Sequence, residues 1–250
     1  MKEYIKNNIF NFFVLIISII TLCTITFNIK LTSMNFHSAQ DEKIVSEKYD
    51  LVIESYNEYL KINPYDSFAY FMRGKAYYYS EDYNKALKDF IKYKNSGKDH
   101  VSIYRYIGNC YSEIGQIEKS IEMFTKGLEK HPKSAELLNN RSYVKCINGY
   151  DLQDALKDVN EALAIETFPH AYHTRAEIQR NLGFYQYAIS DATKALETAP
   201  WMYYNHCEKG YSHMKLGQTE EGLHHLKLCK QASEENNDFK NKALYEEYLN

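Results

Sequence analysis

The sequence predicts an all-α fold: a superhelical solenoid of antiparallel helix pairs, preceded by one N-terminal transmembrane helix and closed by a short capping helix. Three observations carry this expectation. From Ser67 onward a pattern of large, small and aromatic residues recurs at a 34-residue step. Within each step the apolar residues fall at spacings of three and four, which place them on one side of a helix. Ahead of the array, Ile9 to Phe27 is a run of 19 residues of which 14 are apolar, and no charged residue occurs from Asn7 to Ile29.

In chain order, residues 1–8 are a short polar tail. Residues 9–29 are read as a membrane anchor, because a 19-residue helix covers about 28 Å, close to the hydrocarbon thickness of a bilayer. A cleaved signal peptide is the competing reading, yet no small-residue cleavage site follows: Ala39 has His37 two places before it, and bulky Leu22 precedes Cys23. Lys2 and Lys6 on one side face Lys30 and Lys43 on the other, so the positive-inside rule leaves the orientation open. Residues 30–46 are a polar connector whose latter part forms a degenerate first helix, partner to a clear second helix over Tyr49 to Pro64.

The array, residues 47–236, is best defined by 67–100. Tyr70, Arg73, Gly74 and Tyr77 share one helical face, and Tyr83, Ala86, Leu87, Phe90 and Ile91 share another. Gly74 and Ala86 let the two helices approach closely, with Tyr77 and Phe90 filling the space around that contact. One hairpin cannot cover its own apolar surface, whereas stacked copies can. Repeat 101–134 carries Tyr104, Gly108, Tyr111, Ser120, Phe124 and Gly127 at the corresponding places. Repeat 135–168 keeps Leu138, Ser142, Ala155 and Ala162, but its loop at Asn148 to Asp151 is one residue longer. Repeat 169–202 restores the register through Tyr172, Ala176, Ala188 and Ala195, and repeat 203–236 follows with Gly210, His213, Gly222, Leu226 and Cys229. Residues 237–250 are read as a capping helix, amphipathic through Phe239, Ala243, Leu244, Tyr248 and Leu249.

The period and the residues at its fixed places resemble the tetratricopeptide repeat (TPR) family. The resemblance implies that the first helices of the repeats line a concave groove that takes a partner protein or extended peptide. The residues assigned to it here are Phe71, Lys75, Tyr78, Arg105, Asn109, Asn139, Asn140, Tyr143, His173 and Glu177. Co-chaperone TPR domains grip acidic chaperone tails with a basic residue and an Asn on one first helix, an Asn on the next and two basic residues on the third. Arg105, Asn109 and Asn140 match the first three places, whereas His170 and Thr174 stand where the last two cations belong, with Arg175 next door. Carboxylate recognition relies on charge-assisted bonds, so this clamp is incomplete.

Composition narrows the function further. Net charge is −3, and residues 31–250 hold 27 basic against 32 acidic residues, which argues against a nucleic-acid binder. Most of the 24 Tyr residues fall at packing positions and read as core with a polar tip. Cys110, Cys146, Cys207 and Cys229 lie inside the repeat helices where small apolar residues fit, so buried thiols are expected rather than disulfides. No phosphate-binding loop, zinc-protease or serine-nucleophile signature occurs, and in the one metal-like cluster, His206, Cys207, His213, His224, His225 and Cys229 of the last repeat, only His225 with Cys229 has a helical metal-ligand spacing. No enzyme, cofactor, metal or small-molecule substrate is expected. The reading is a membrane-tethered scaffold or receptor, with the side that faces the repeats left open. The alternatives are an import-receptor-like binder of acidic chaperone tails, a bacterial envelope assembly factor and a metal-dependent enzyme.

Overall fold

The computed structural model describes residues 39–249, with side chains from Lys48 on. The tail at 1–8, the anchor expected at 9–29 and the start of the connector lie outside the described residues. Among those described there are twelve helices and no strand, and no helix is long and apolar enough to cross a membrane.

The chain divides into two compact units after Lys98. The first holds α1 (Ala39–Ile62), α2 (Ser67–Tyr79) and α3 (Tyr83–Asn95). Residues up to 46 do not end a separate helix, as the sequence reading expected, because Ala39–Ile62 is continuous. Neither Pro nor Gly occurs in that stretch to interrupt it. Tyr56 and Leu60 of α1 pack against Ala69 of α2, flanked by Val52, Tyr59, Tyr70 and Met72.

The second unit runs through α4 (Val101–Glu113), α5 (Ile117–Lys130), α6 (Ala135–Ile147), α7 (Leu152–Ile165), α8 (Pro169–Asn181), α9 (Tyr185–Thr198), α10 (Tyr204–Lys215), α11 (Thr219–Glu235) and α12 (Lys242–Leu249). Each helix packs on its neighbour in sequence, and α4 on α6, α6 on α8, α8 on α10 and α10 on α12 also touch, so the first helices of successive repeats form one face. Small residues make this possible. A Cβ built on Gly127 would come within 2.8 Å of both Tyr104 and Leu137, one from its own repeat and one from the next. In the third repeat Ser142 takes the small place and donates its hydroxyl to the Ala155 carbonyl at 2.9 Å.

The hairpin turns share one backbone device. Gly115, Gly149, Gly183 and Gly217, fifteen places into their repeats, have φ between 72° and 80°, and Glu81 holds the same place at φ 62°. That left-handed conformation is open to Gly and costs an L side chain energy. The longer loop of the third repeat adds its residue after Gly149, so α7 starts one place late, at Leu152.

A set of charged ties, invisible to the sequence reading, fastens the second helices together. Arg73 donates from Nε and Nη2 to Asp89 at 2.7 and 2.8 Å and from Nη1 to Asn57 of the preceding helix at 2.8 Å. Arg141 repeats this with Asp158 (2.8 and 2.7 Å) and Thr125 (3.0 Å). Arg175 does so with Asp191 (2.6 and 2.9 Å) and Asn160 (2.9 Å). The second repeat carries Ile107 and Met123 at the equivalent places, and the last carries Lys209 and His225.

The end of the chain departs from expectation in two ways. Cys207 and Cys229 form a disulfide with Cα atoms 5.2 Å apart, where buried thiols were expected. Both residues are buried as anticipated, but places 5 and 27 of one repeat face each other across the hairpin, and two sulfurs there are within bonding reach. The closing helix also starts only at Lys242, leaving Phe239 outside it and 46% exposed, while Tyr245 supplies the buried anchor against Cys207, Leu226 and Cys229.

Candidate functional site

The residues assigned to the binding face fall into both units. In the first, the Phe71 ring lies 4.7 Å from Tyr93 and 5.9 Å from Phe90, Lys75 Nζ is 6.0 Å from the Phe71 centroid, and Tyr78 meets Tyr83 edge-on at 5.6 Å. In the second, Arg105 is engaged: its Nε is 2.8 Å from Glu136 and its guanidinium lies 4.1 Å from the Tyr106 ring. Asn109 sits on the same helix α4, half-buried. Arg175, the cation beside Thr174, points to Asp191.

Asn139, Asn140, Tyr143, His173 and Glu177 come together. They line one cavity of about 630 Å³ formed by α6, α8, Tyr204 of α10 and the turn at Asp238, Lys240 and Asn241. That turn was not foreseen as part of the site. The chain reverses after Asn237, which has φ 50°, and Tyr203 holds the turn by donating its hydroxyl to Asp238 Oδ2 at 2.9 Å.

Below the cavity lies a buried charge network. Glu208 is fully buried and accepts from Arg180 Nε at 2.6 Å through one oxygen, while Oε1 has no partner. Glu177 is 3.8 Å from the same guanidinium. Two carboxylates thus share one cation. Burial and the charge of Glu208 push the Glu177 carboxyl up to about 7, against the pull of Arg180, and burial raises Glu208 as well.

His173 is set by its neighbours. Asn205 donates its amide NH₂ to the Met202 carbonyl at 3.0 Å, which leaves Asn205 Oδ1 as the acceptor facing His173 Nδ1 at 3.0 Å. Nδ1 therefore carries the proton. Burial pushes the imidazole down to about 4, so the ring is neutral near pH 7 and Nε2 presents a lone pair, 4.0 Å from Glu177 Oε2. The Tyr204 ring packs edge-on against His173 at 4.4 Å. Asn139 is 6% exposed, and its Oδ1 also has no partner. Cys146, in the same wall, has its thiol pushed up to about 12 by burial, which makes it an inert lining group.

The histidines of the last repeat pair without forming a metal centre. His206 and His225 approach Nδ1 to Nδ1 at 3.0 Å, and burial with Lys209 close by pushes His225 down to about 3. Among the described residues no three His, Cys, Asp or Glu side chains converge as metal ligands. Cys229 is committed to its disulfide.

Comparison with known proteins agrees with the geometry. The family model for the tetratricopeptide repeat matches residues 106–129. Human "Tetratricopeptide repeat protein 6" is 28% identical over 144 residues, which cover 56% of this chain but 28% of the relative. Among solved structures, the "APC/C hetero-tetramer Cut9-Hcn1" superposes with a TM-score of 0.70 at 16% identity, covering 82% of this chain and 40% of the other. Yeast Tom70 gives a TM-score of 0.59 at 16% identity, covering 87% and 45%. These likenesses show a tetratricopeptide-repeat fold, with one repeat matched by the family model. The chain spans about a quarter of the human relative's length and under half of either solved chain.

Proposed function

We propose that the protein is a non-catalytic scaffold held at a membrane by residues 9–29, which binds a partner polypeptide on the face built by the first helices of its repeats. The observation that carries the reading is the cavity on that face of the second unit, where Asn139, Asn140, Tyr143, His173 and Glu177 meet. Aromatic walls with a few polar groups suit a peptide or an inserted helix. Tethering would raise the local concentration of a partner at the membrane, so modest intrinsic affinity suffices. The apolar run in the sequence supports the anchor.

Binding of acidic chaperone tails is disfavoured on this reading. Arg105 is neutralised by Glu136 and Arg175 by Asp191, which leaves the clamp short of cations. The test of the scaffold reading is affinity capture of partners on the full-length protein and on an Asn139→Ala, Asn140→Ala, Tyr143→Ala variant. Partners retained by the first and lost by the second are expected. Equal recovery would place binding elsewhere. Carbonate extraction of membranes, with and without residues 9–29, tests the anchor: the intact chain should stay with the membrane and the truncated one should not.

A further inference from the structure

Donors and acceptors both line the cavity, and at one end three acceptors gather around Glu177. Glu177 Oε2 and His173 Nε2 stand 4.0 Å apart, too far to bond to each other, and with Nδ1 protonated both are acceptors. Asn139, in the same wall, buries Oδ1 without a partner. The cation nearest Glu177 is Arg180, at 3.8 Å, and it is already bonded to Glu208 at 2.6 Å. Buried acceptors of this kind are costly unless a donor arrives to satisfy them. Tyr143 and Tyr204 add aromatic walls, whose faces attract cations.

We propose that this cavity receives the cationic end of a Lys or Arg side chain projecting from a partner polypeptide. Its N–H groups donate to the Glu177 carboxylate, His173 Nε2 and Asn139 Oδ1, and its stem lies against the Tyr143 and Tyr204 rings. The proposal rests on the scaffold reading and sharpens it, since it assigns the partner an anchor of opposite charge to a chaperone tail. A guanidinium or ammonium meets three acceptors beside Glu177, whereas a carboxylate there would meet the Glu177 carboxylate and find its one cation, Lys240, out at the rim.

Binding of a cation needs Glu177 ionised. The charged or titratable groups that face it are His170, His173 and Arg180 from α8, Tyr143 and Cys146 from α6, Tyr204 and Glu208 from α10, and Asp238 with Lys240 from the closing turn. Burial disfavours the charged form of His170 and pushes His173 down to about 4, and Lys240 is exposed at the rim. With the Glu177 carboxyl at about 7, affinity for a basic anchor rises roughly tenfold from pH 6 to pH 8.

The test uses the full-length protein. A random peptide library is selected on the wild type, and the selected peptides are synthesised with the anchor position as Lys, Arg, Gln or Glu. Their affinities are measured on the wild type, Glu177→Gln and Asn139→Ala, each checked by circular dichroism and melting, with spermidine and N-acetyl-arginine amide as small-molecule probes. Enrichment of Lys or Arg at one position is expected, with a loss of at least tenfold when the anchor becomes Gln or the protein becomes Glu177→Gln. Asn139→Ala should lose about threefold to tenfold, and it serves alone if Glu177→Gln does not fold. Peptides selected without a basic anchor, or with one insensitive to both variants, overturn the proposal and leave the scaffold reading intact. Spermidine binding with no peptide selected overturns both, as does the absence of any binding.

Discussion

Replacing Asp158 by Ala should be among the most damaging single changes in the second unit. Its carboxylate accepts from Arg141 Nε and Nη2 at 2.8 and 2.7 Å and from Lys145 Nζ at 2.7 Å. The side chains of Asp158, Arg141 and Lys145 are 5%, 18% and 9% exposed, so little water can replace the lost partner. Removing one member of a buried pair costs about 3–5 kcal/mol, because the other charge is stranded. Lys145 keeps Asp154 at 2.5 Å, which puts the expected loss near the lower end, about 3 kcal/mol. That is a large share of the roughly 5–15 kcal/mol available to a domain. The second repeat shows the harmless alternative, Ile107 and Met123 at the equivalent places. Arg175→Ile with Asp191→Met should therefore stay within about 1 kcal/mol of the wild type, although each single change loses about 3 kcal/mol. Urea unfolding followed by far-UV circular dichroism measures both series. Additive singles, or an Asp158→Ala loss below about 1 kcal/mol, would refute the argument that these ties are coupled buried charges.

Glu81→Gly should stabilise the first hairpin by about 0.5–1 kcal/mol, since it relieves a left-handed side chain at a place where the other repeats carry Gly; thermal melts of the two proteins check this. Reducing the Cys207–Cys229 disulfide, which spans 22 residues, should cost about 3 kcal/mol, with amide exchange speeding up in α10 to α12; unchanged protection there would count against it. Glu177 gives a pH signature. Its folded value near 7 lies above its unfolded value of 4.5, so its stabilising contribution is complete below 4.5 and is lost as pH rises through 7. The stability difference between wild type and Glu177→Gln should fall over that window by at most about 3 kcal/mol and then level off, as urea titrations at a series of pH values would show. A flat difference would mean that Glu177 ionises freely.

The helix pairs were legible in the sequence because their period is written in steric pairs such as Gly74 with Phe90 and Gly127 with Tyr104 and Leu137. Those positions recur whatever surrounds them. The Arg–Asp ties were not legible, since Arg73 and Asp89 stand 16 residues apart and meet only once the hairpin has closed. The disulfide was hidden for the same reason, by a spacing with meaning only across a folded pair. At the candidate site, Asn139, Tyr143, His173 and Glu177 could be placed from their positions on first helices. Glu208 and the turn at Asp238 could not: one acts from beneath the face through Arg180, and the other reaches it by a reversal at Asn237. Glu208 matters to the site because it occupies Arg180, which leaves the Glu177 carboxylate without a dedicated cation, and that pairing can be seen only in the folded chain.

The claim at the centre of this account is that a polypeptide docks on the face of the first helices, at the cavity of the second unit. The most direct measurement places a photoreactive benzoylphenylalanine at Tyr143, 38% exposed in the cavity wall, or at Tyr187, 68% exposed on α9. In cells carrying the full-length protein, irradiation should yield a discrete protein adduct from the Tyr143 position that is absent from the Tyr187 position. Adducts from Tyr187 alone, or from neither, would contradict the account.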